Sequence, residues 1–157
     1  MGNEGIQKFL GSRFGPIDFQ PRPINGDIGA TVTRGSQELA AQRSAGAHPY
    51  LTTPVHTGQA RELLGPTVFI APEHKVVLTN DADKAREIGR ATVDFYLGLS
   101  NYVNNWKRLG FTDEDLVRPG SDRFIDAVVA YGSPEQIAAR LSEHLAAGAD
   151  HVAIQVL

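Results

Sequence analysis

The chain has 157 residues, long enough for one domain with a real core, and its 41% hydrophobic and 21% charged content is ordinary for a globular protein. Its formal net charge of −3 comes from interspersed acids and bases, so there is no basic stripe for nucleic acid and no charge block of a disordered tail. Cysteine is absent, which excludes disulfides, thiolate metal sites and cysteine nucleophiles.

Residues 1–35 differ from the rest. The stretch "LGSRFGPIDFQPRPINGDIGATVTRGS" interrupts every few residues with Gly or Pro, so no regular element longer than a short strand is expected there. The segment reads as irregular, either disordered or foreign to the domain that follows. No apolar run nears the roughly 18 residues that span a bilayer, and Met1 is not followed by a signal-like apolar stretch. The expectation is a soluble cytoplasmic protein without membrane contact.

From Gly35 the pattern is orderly. "SQELAAQRSAG" predicts a helix with Ser36 as N-cap and Gly46 at its end. "AHPYLTT" predicts a short strand, and "PVHTGQARELLG" a helix opened by Pro54 and closed by Gly65. "VFIA" and "KVVLT" predict one or two strands split by Pro72. "DADKAREIGRATVDFYLGL" predicts a helix with Asp81 at its N-terminus, and a second helix follows from Ser100 to Leu109. Thr112 and Asp115 stand at capping-box spacing. "DAVVAYG" predicts a buried strand. Ser133, Pro134 and Gln136 form the strongest helix-start signal in the chain, and Gly148 ends that helix. "DHVAIQVL" predicts a last strand. Val/Ile/Ala-rich strands alternating with helices argue for an α/β fold built of parallel βαβ units. A complete (β/α)8 barrel takes about 250 residues, so the pattern reads as part of one.

The blocks "ELAAQRSAGAHPYLTTPVHTGQARELLGP", "APEHKVVLTND", "YLGLSNYVNNWKRLGFTDEDL" and "GSPEQIAARLSEHLAAGADHVAIQVL" occur in order over about three-quarters of the chain. They resemble the luciferase-like monooxygenase superfamily, and within it the actinobacterial branch of deazaflavin (coenzyme F420)-dependent oxidoreductases. The resemblance implies a partial TIM-like (β/α)8 barrel, with residues 36–157 as its C-terminal half. It implies coenzyme F420, or FMN as the alternative, and either hydride transfer to or from a small-molecule substrate or oxygen activation through the reduced flavin, as in a monooxygenase. The family's N-terminal half, which carries much of the isoalloxazine pocket, has no counterpart here. Where family members place an apolar strand ending in a glycine turn before "ELAAQRSAG", this chain has "GDIGATVTRGSQ", which reads as a rebuilt, frame-shifted or vector-derived replacement. The resemblance therefore assigns an oxidoreductase family without assigning activity to this chain alone. The rival expectation is a non-catalytic half-barrel that homo-oligomerises through its open strand edges, and both readings expect self-association.

Barrel function sits at the C-terminal ends of strands. "HPYLTT" places Thr52 and Thr53 at such an end, with Pro54 opening the next helix. Hydroxyls beside free helix N–H groups can cradle a phosphate, or can simply cap the helix. By resemblance this turn holds the cofactor, with Thr52 and Thr53 as contacts and His56 as a third. The remaining histidines and acids read as structural. His48 is a core or surface histidine, "EHK" (Glu73, His74, Lys75) a solvated turn, His144 a solvent-facing helix residue, and His151 the opening of the last strand. Tyr102 and Trp106 share a helix face and read as packing, and "YGSPEQ" reads as capping with anion binding as the alternative. No H-E-x-x-H, G-x-S-x-G, G-x-G-x-x-G or paired-carboxylate arrangement is present. Metal and serine-hydrolase chemistry have no motif here, and no catalytic residue is assigned.

Overall fold

The structure, a computed structural model, describes residues 45–157 together with the backbone of Ile28–Gly29. The rest of segment 1–35, and the helix expected from Ser36, lie outside the described residues.

Four stretches of extended chain lie side by side in sequence order, all parallel. Strand β1 (Ile28–Gly29) pairs with β2 (Gly46–Ala47), and β2 with β3 (Phe69–Ile70). The run resumes after Ala71–Pro72 as β4 (Glu73–Val77). The ladder crosses that gap. The Ala71 N–H donates to the Ala47 carbonyl at 2.9 Å and the Glu73 N–H to that of Pro49 at 2.8 Å, and a bridge joins Tyr50 to Glu73. On the other side, the Ala153 N–H donates to the Pro72 carbonyl, and β6 (Ala153–Val156) pairs with β4. One strand breaks the order. Strand β5 (Val129–Tyr131) pairs with Lys75, Val76 and Val77, on the side of β4 opposite to β6. The fold is thus α/β with parallel strands, and among the described residues the strands do not close into a barrel.

Helix starts follow local chemistry. Helix α1 (Pro54–Leu64) begins with Thr53 as N-cap and proline in its first turn, and Gly65 follows it at φ 75. Helix α2 (Ala82–Val93) is capped by Asp81, which accepts the Lys84 N–H. A 3-10 turn (Tyr96–Gly98) leads into α3 (Ser100–Arg108). In α4 (Asp113–Leu116), Thr112 and Asp115 form the expected capping box. Helix α6 (Pro134–Ala146) opens on the Ser133/Gln136 box, which takes up the Ser133 and Gln136 N–H groups of the "YGSPEQ" turn.

The sequence expectation fails at "DAVVAYG". Helix α5 (Asp122–Val128), capped by Ser121, runs through its first half, and only Val129–Tyr131 is strand. A local serine cap and the burial of Phe124, Ile125 and Val128 at helical spacing outweigh the β-preference of the valines.

The sheet has a distinct core on each face. Val76 and Ala130 pack with Ile137 and Leu141 of α6. Val77 and Val129 belong to the other, larger core, with Leu51, Trp106, Phe124 and Ile125. Helix α2 approaches that core through Gly89. A Cβ at this position would lie 2.9 Å from Ile125 Cγ2 and 3.2 Å from Val129 Cγ2, so the contact requires glycine. Helix α1 covers β2 and β3 through Ala60, Leu64, Ala47 and Ile70. Among the described residues no helix is long and apolar enough to cross a membrane.

Candidate functional site

The turn between β2 and α1 carries the sequence-derived cofactor residues, and it begins with a backbone outlier. Leu51 has φ 49, the left-handed region that costs an L-residue roughly 1–2 kcal/mol. Its side chain is fully buried, and its carbonyl accepts the indole N–H of Trp106 at 2.9 Å. A tertiary hydrogen bond and core packing thus hold the chain in its reversal at the strand end, where strain gathers at functional sites.

Next in line, Thr52 is fully buried, and its Oγ1 has no hydrogen-bond partner among the described residues. Leaving a buried hydroxyl unpaired costs about 1–3 kcal/mol. Thr53 is committed differently, since its Oγ1 accepts the His56 N–H at 3.5 Å as the α1 cap. His56 is buried and lies near His144, whose pKa it helps to depress. The three residues therefore divide. Thr52, at the start of α1, has unused hydrogen-bonding capacity that can be offered to an anionic group. The Thr53 hydroxyl serves the helix. A second orphan, Asn105 Nδ2, lies on α3 one residue before Trp106, so unpaired polar atoms bracket the Trp106–Leu51 bond in sequence on both sides.

Behind the turn is a buried histidine pair. Thr57 Oγ1 lies 2.8 Å from His144 Nδ1, and His144 Nε2 lies 3.1 Å from His74 Nδ1. His74 and His144 are 1% and 0% exposed. Burial pushes His74 down to about 3, with the charges of His144 and Arg140 acting the same way. Burial also pushes His144 down to about 4, assisted by Arg140 and His56. This overturns the reading of His144 as solvent-facing. Its spacing from Ile137 and Leu141, seven and three residues, already puts it on the buried stripe of α6.

"EHK" is likewise no solvated turn but the first half of β4, with His74 and Lys75 buried. Strand alternation holds here. His74 shares its face with Val76, while Lys75 Nζ on the opposite face donates to Glu73 Oε1 at 2.5 Å and to Gln155 Oε1. Tyr102 faces this polar group closely enough to feel Glu73 and Tyr50, and burial above all pushes its hydroxyl up to about 12. His48 donates from Nδ1 to the Ala71 carbonyl at 2.5 Å, a structural role. Tyr102 and Trp106 are buried neighbours with ring centroids 5.7 Å apart. Among the described residues no three His, Asp or Glu side chains converge as a metal site.

The Leu51 strain, the Thr52 orphan and the Thr57–His144–His74 chain were missed from sequence. Only the histidines carried a signal, through helix and strand period.

No protein-family model and no curated protein matches this chain. Among solved structures, the crystal structure of apo-MsnO8 matches with a TM-score of 0.49 at 17% identity, covering 98% of this chain and 52% of that one. The chain spans about half the length of that protein.

Proposed function

We propose that this chain is the C-terminal half of a TIM-like (β/α)8 oxidoreductase of the luciferase-like kind, which binds coenzyme F420, or alternatively FMN, through the turn that opens α1. The observation that carries the reading is the buried, unpartnered Thr52 Oγ1 at a strand end and helix start. The in-order parallel strands and the four sequence blocks support it.

When bound, the (deaza)flavin supplies the hydride chemistry. The chain's own part is binding and placement. Thr52 gives a hydroxyl to an anionic group, which the Val55 N–H can join; Pro54 has no N–H, and those of His56 and Thr57 donate to Thr53. Thr53 fixes the start of that helix, and Leu51, held by Trp106, fixes the direction in which the turn leaves the strand. The reading includes self-association, because β6 pairs only with β4 among the described residues and leaves its other edge open.

Titration of the purified chain with FMN and with F420, followed by cofactor fluorescence, tests the proposal. Saturable binding of either is expected, and no binding at high micromolar concentration overturns it. Size-exclusion chromatography with light scattering tests the assembly, which a well-behaved monomer overturns.

A further inference from the structure

The hydrogen-bonded chain Thr57–His144–His74 ties together three separate elements, α1, α6 and β4. One hydrogen occupies the 3.1 Å gap between His144 Nε2 and His74 Nδ1, with one nitrogen donating and the other accepting. In either tautomeric arrangement His74 Nε2 is left without a partner among the described residues.

Among the described residues, nothing offers a counter-charge to an added proton. From α1 come His56 and Arg61, the latter paired with Asp150. From α6 come Arg140 and Glu143, paired with each other. On β4, Glu73 and Lys75 pair with each other on the opposite face of the strand. His151 lies exposed just ahead of β6, and among the described residues no carboxylate hydrogen-bonds to His74 or His144. A first proton leaves a buried, uncompensated cation beside Arg140. A second sets two N–H donors against each other.

We propose that Thr57, His144 and His74 form an acid-release latch: proton uptake by the pair separates α1, and with it the Leu51–Thr53 turn, from α6 and β4. The latch stands apart from the cofactor reading, and its test uses no cofactor, so either can fail alone.

Urea unfolding of the chain, followed by Trp106 fluorescence, reads the folding equilibrium constant against pH. Two such histidines lower it roughly 50-fold between pH 6 and pH 5, against only a few-fold for a chain lacking both. The His74→Asn/His144→Gln variant is expected to show the shallow dependence, and the exposed-site control His151→Gln the steep one. A wild-type slope no steeper than that of the double variant overturns the proposal. Should the double variant not fold, ring-carbon NMR of the wild type decides. Titration of both rings near their ordinary value with the fold intact overturns the latch, and two rings that stay neutral down to pH 5.5 support it. Amide exchange, corrected for its intrinsic pH dependence, locates the opening. Protection in α1 is expected to fall before that in α2, and simultaneous loss overturns a local release.

Discussion

The indole N–H of Trp106 donates to the carbonyl of Leu51 across 55 residues of sequence, and Leu51 is the one non-glycine residue with positive φ among those described. The two facts belong together, because a strained reversal persists only where its surroundings over-determine it. Trp106→Phe keeps an aromatic ring in the core but orphans that carbonyl. A loss of about 2–4 kcal/mol is expected, from the unpaired acceptor and the smaller ring. The midpoint of urea unfolding measures it, and a loss below about 0.5 kcal/mol would show that the bond does not hold the turn.

Thr52→Val replaces the orphan hydroxyl with a methyl of nearly the same size. Stability should rise by about 1 kcal/mol, since a buried unpaired group is removed. If the hydroxyl serves a cofactor phosphate, the same variant should bind FMN or F420 about tenfold more weakly, as expected for one lost hydrogen bond. Thermal unfolding and cofactor titration on one preparation read both effects. A variant less stable than wild type would show that Thr52 has a structural partner.

At Gly89 two effects oppose each other. Alanine in a helix interior is worth up to about 1 kcal/mol over glycine. Here its Cβ would press on Ile125 at 2.9 Å and on Val129 at 3.2 Å, and overpacking costs about 1–3 kcal/mol. The clash should win. Gly89→Ala is therefore expected to be less stable by about 1 kcal/mol, and a stabilised variant would mean that α2 shifts freely on the core.

Acid should act on this chain in two stages. His74 and His144 titrate at about 3 and 4 when folded but near 6.5 when unfolded, so the unfolded state binds more protons and stability falls as pH drops from 6.5 toward 4. Asp126, lowered chiefly by its paired hydrogen bonds from Arg86, contributes stability that is present above its unfolded value of 3.8 and is lost as pH falls through its folded value. Asp126→Asn should flatten the profile below pH 4 and leave the upper stage unchanged. Urea midpoints at a series of pH values separate the two stages. A changed slope above pH 5 would contradict the assignment.

Arg61 donates to the carbonyls of Gly65, Val68 and Gly148 and pairs with Asp150 at 2.6 Å, so one guanidinium joins the end of α1, the approach to β3 and the exit from α6. Lysine keeps the charge but not the fork. Arg61→Lys should cost about 2 kcal/mol, measured by thermal unfolding, and a neutral result would show that charge alone suffices.

What was legible in the sequence was local. Thr53, Asp81, Thr112, Ser133 and Gln136 act within three residues of themselves, so their caps could be read directly. Strand alternation correctly set Glu73 and Lys75 together and His74 apart. The failures were nonlocal. "DAVVAYG" reads as strand until Phe124 and Ile125 draw its first half into the core as helix. His144 reads as exposed if polarity is weighed above period, and only Thr57 and His74, distant in sequence, make its burial tolerable. The strand-to-helix turn was locatable from Thr52, Thr53 and Pro54, but the left-handed backbone at Leu51 depends on a tryptophan in another helix.

The polar ties of α1 carry a consequence for how the chain comes together. Thr57 reaches His144 over 87 residues, and Arg61 reaches Gly148 and Asp150 over 87 and 89. Contacts that close such long loops form late, after their loop entropy has been met. On a ribosome, the helix beside the candidate turn leaves the tunnel well before its hydrogen-bonded anchors, which follow it by 87 to 89 residues. Helix α1 is thus among the last elements to be secured, so a nascent chain stalled before α6 should hold the Leu51 turn through Trp106 while α1 still lacks its polar anchors.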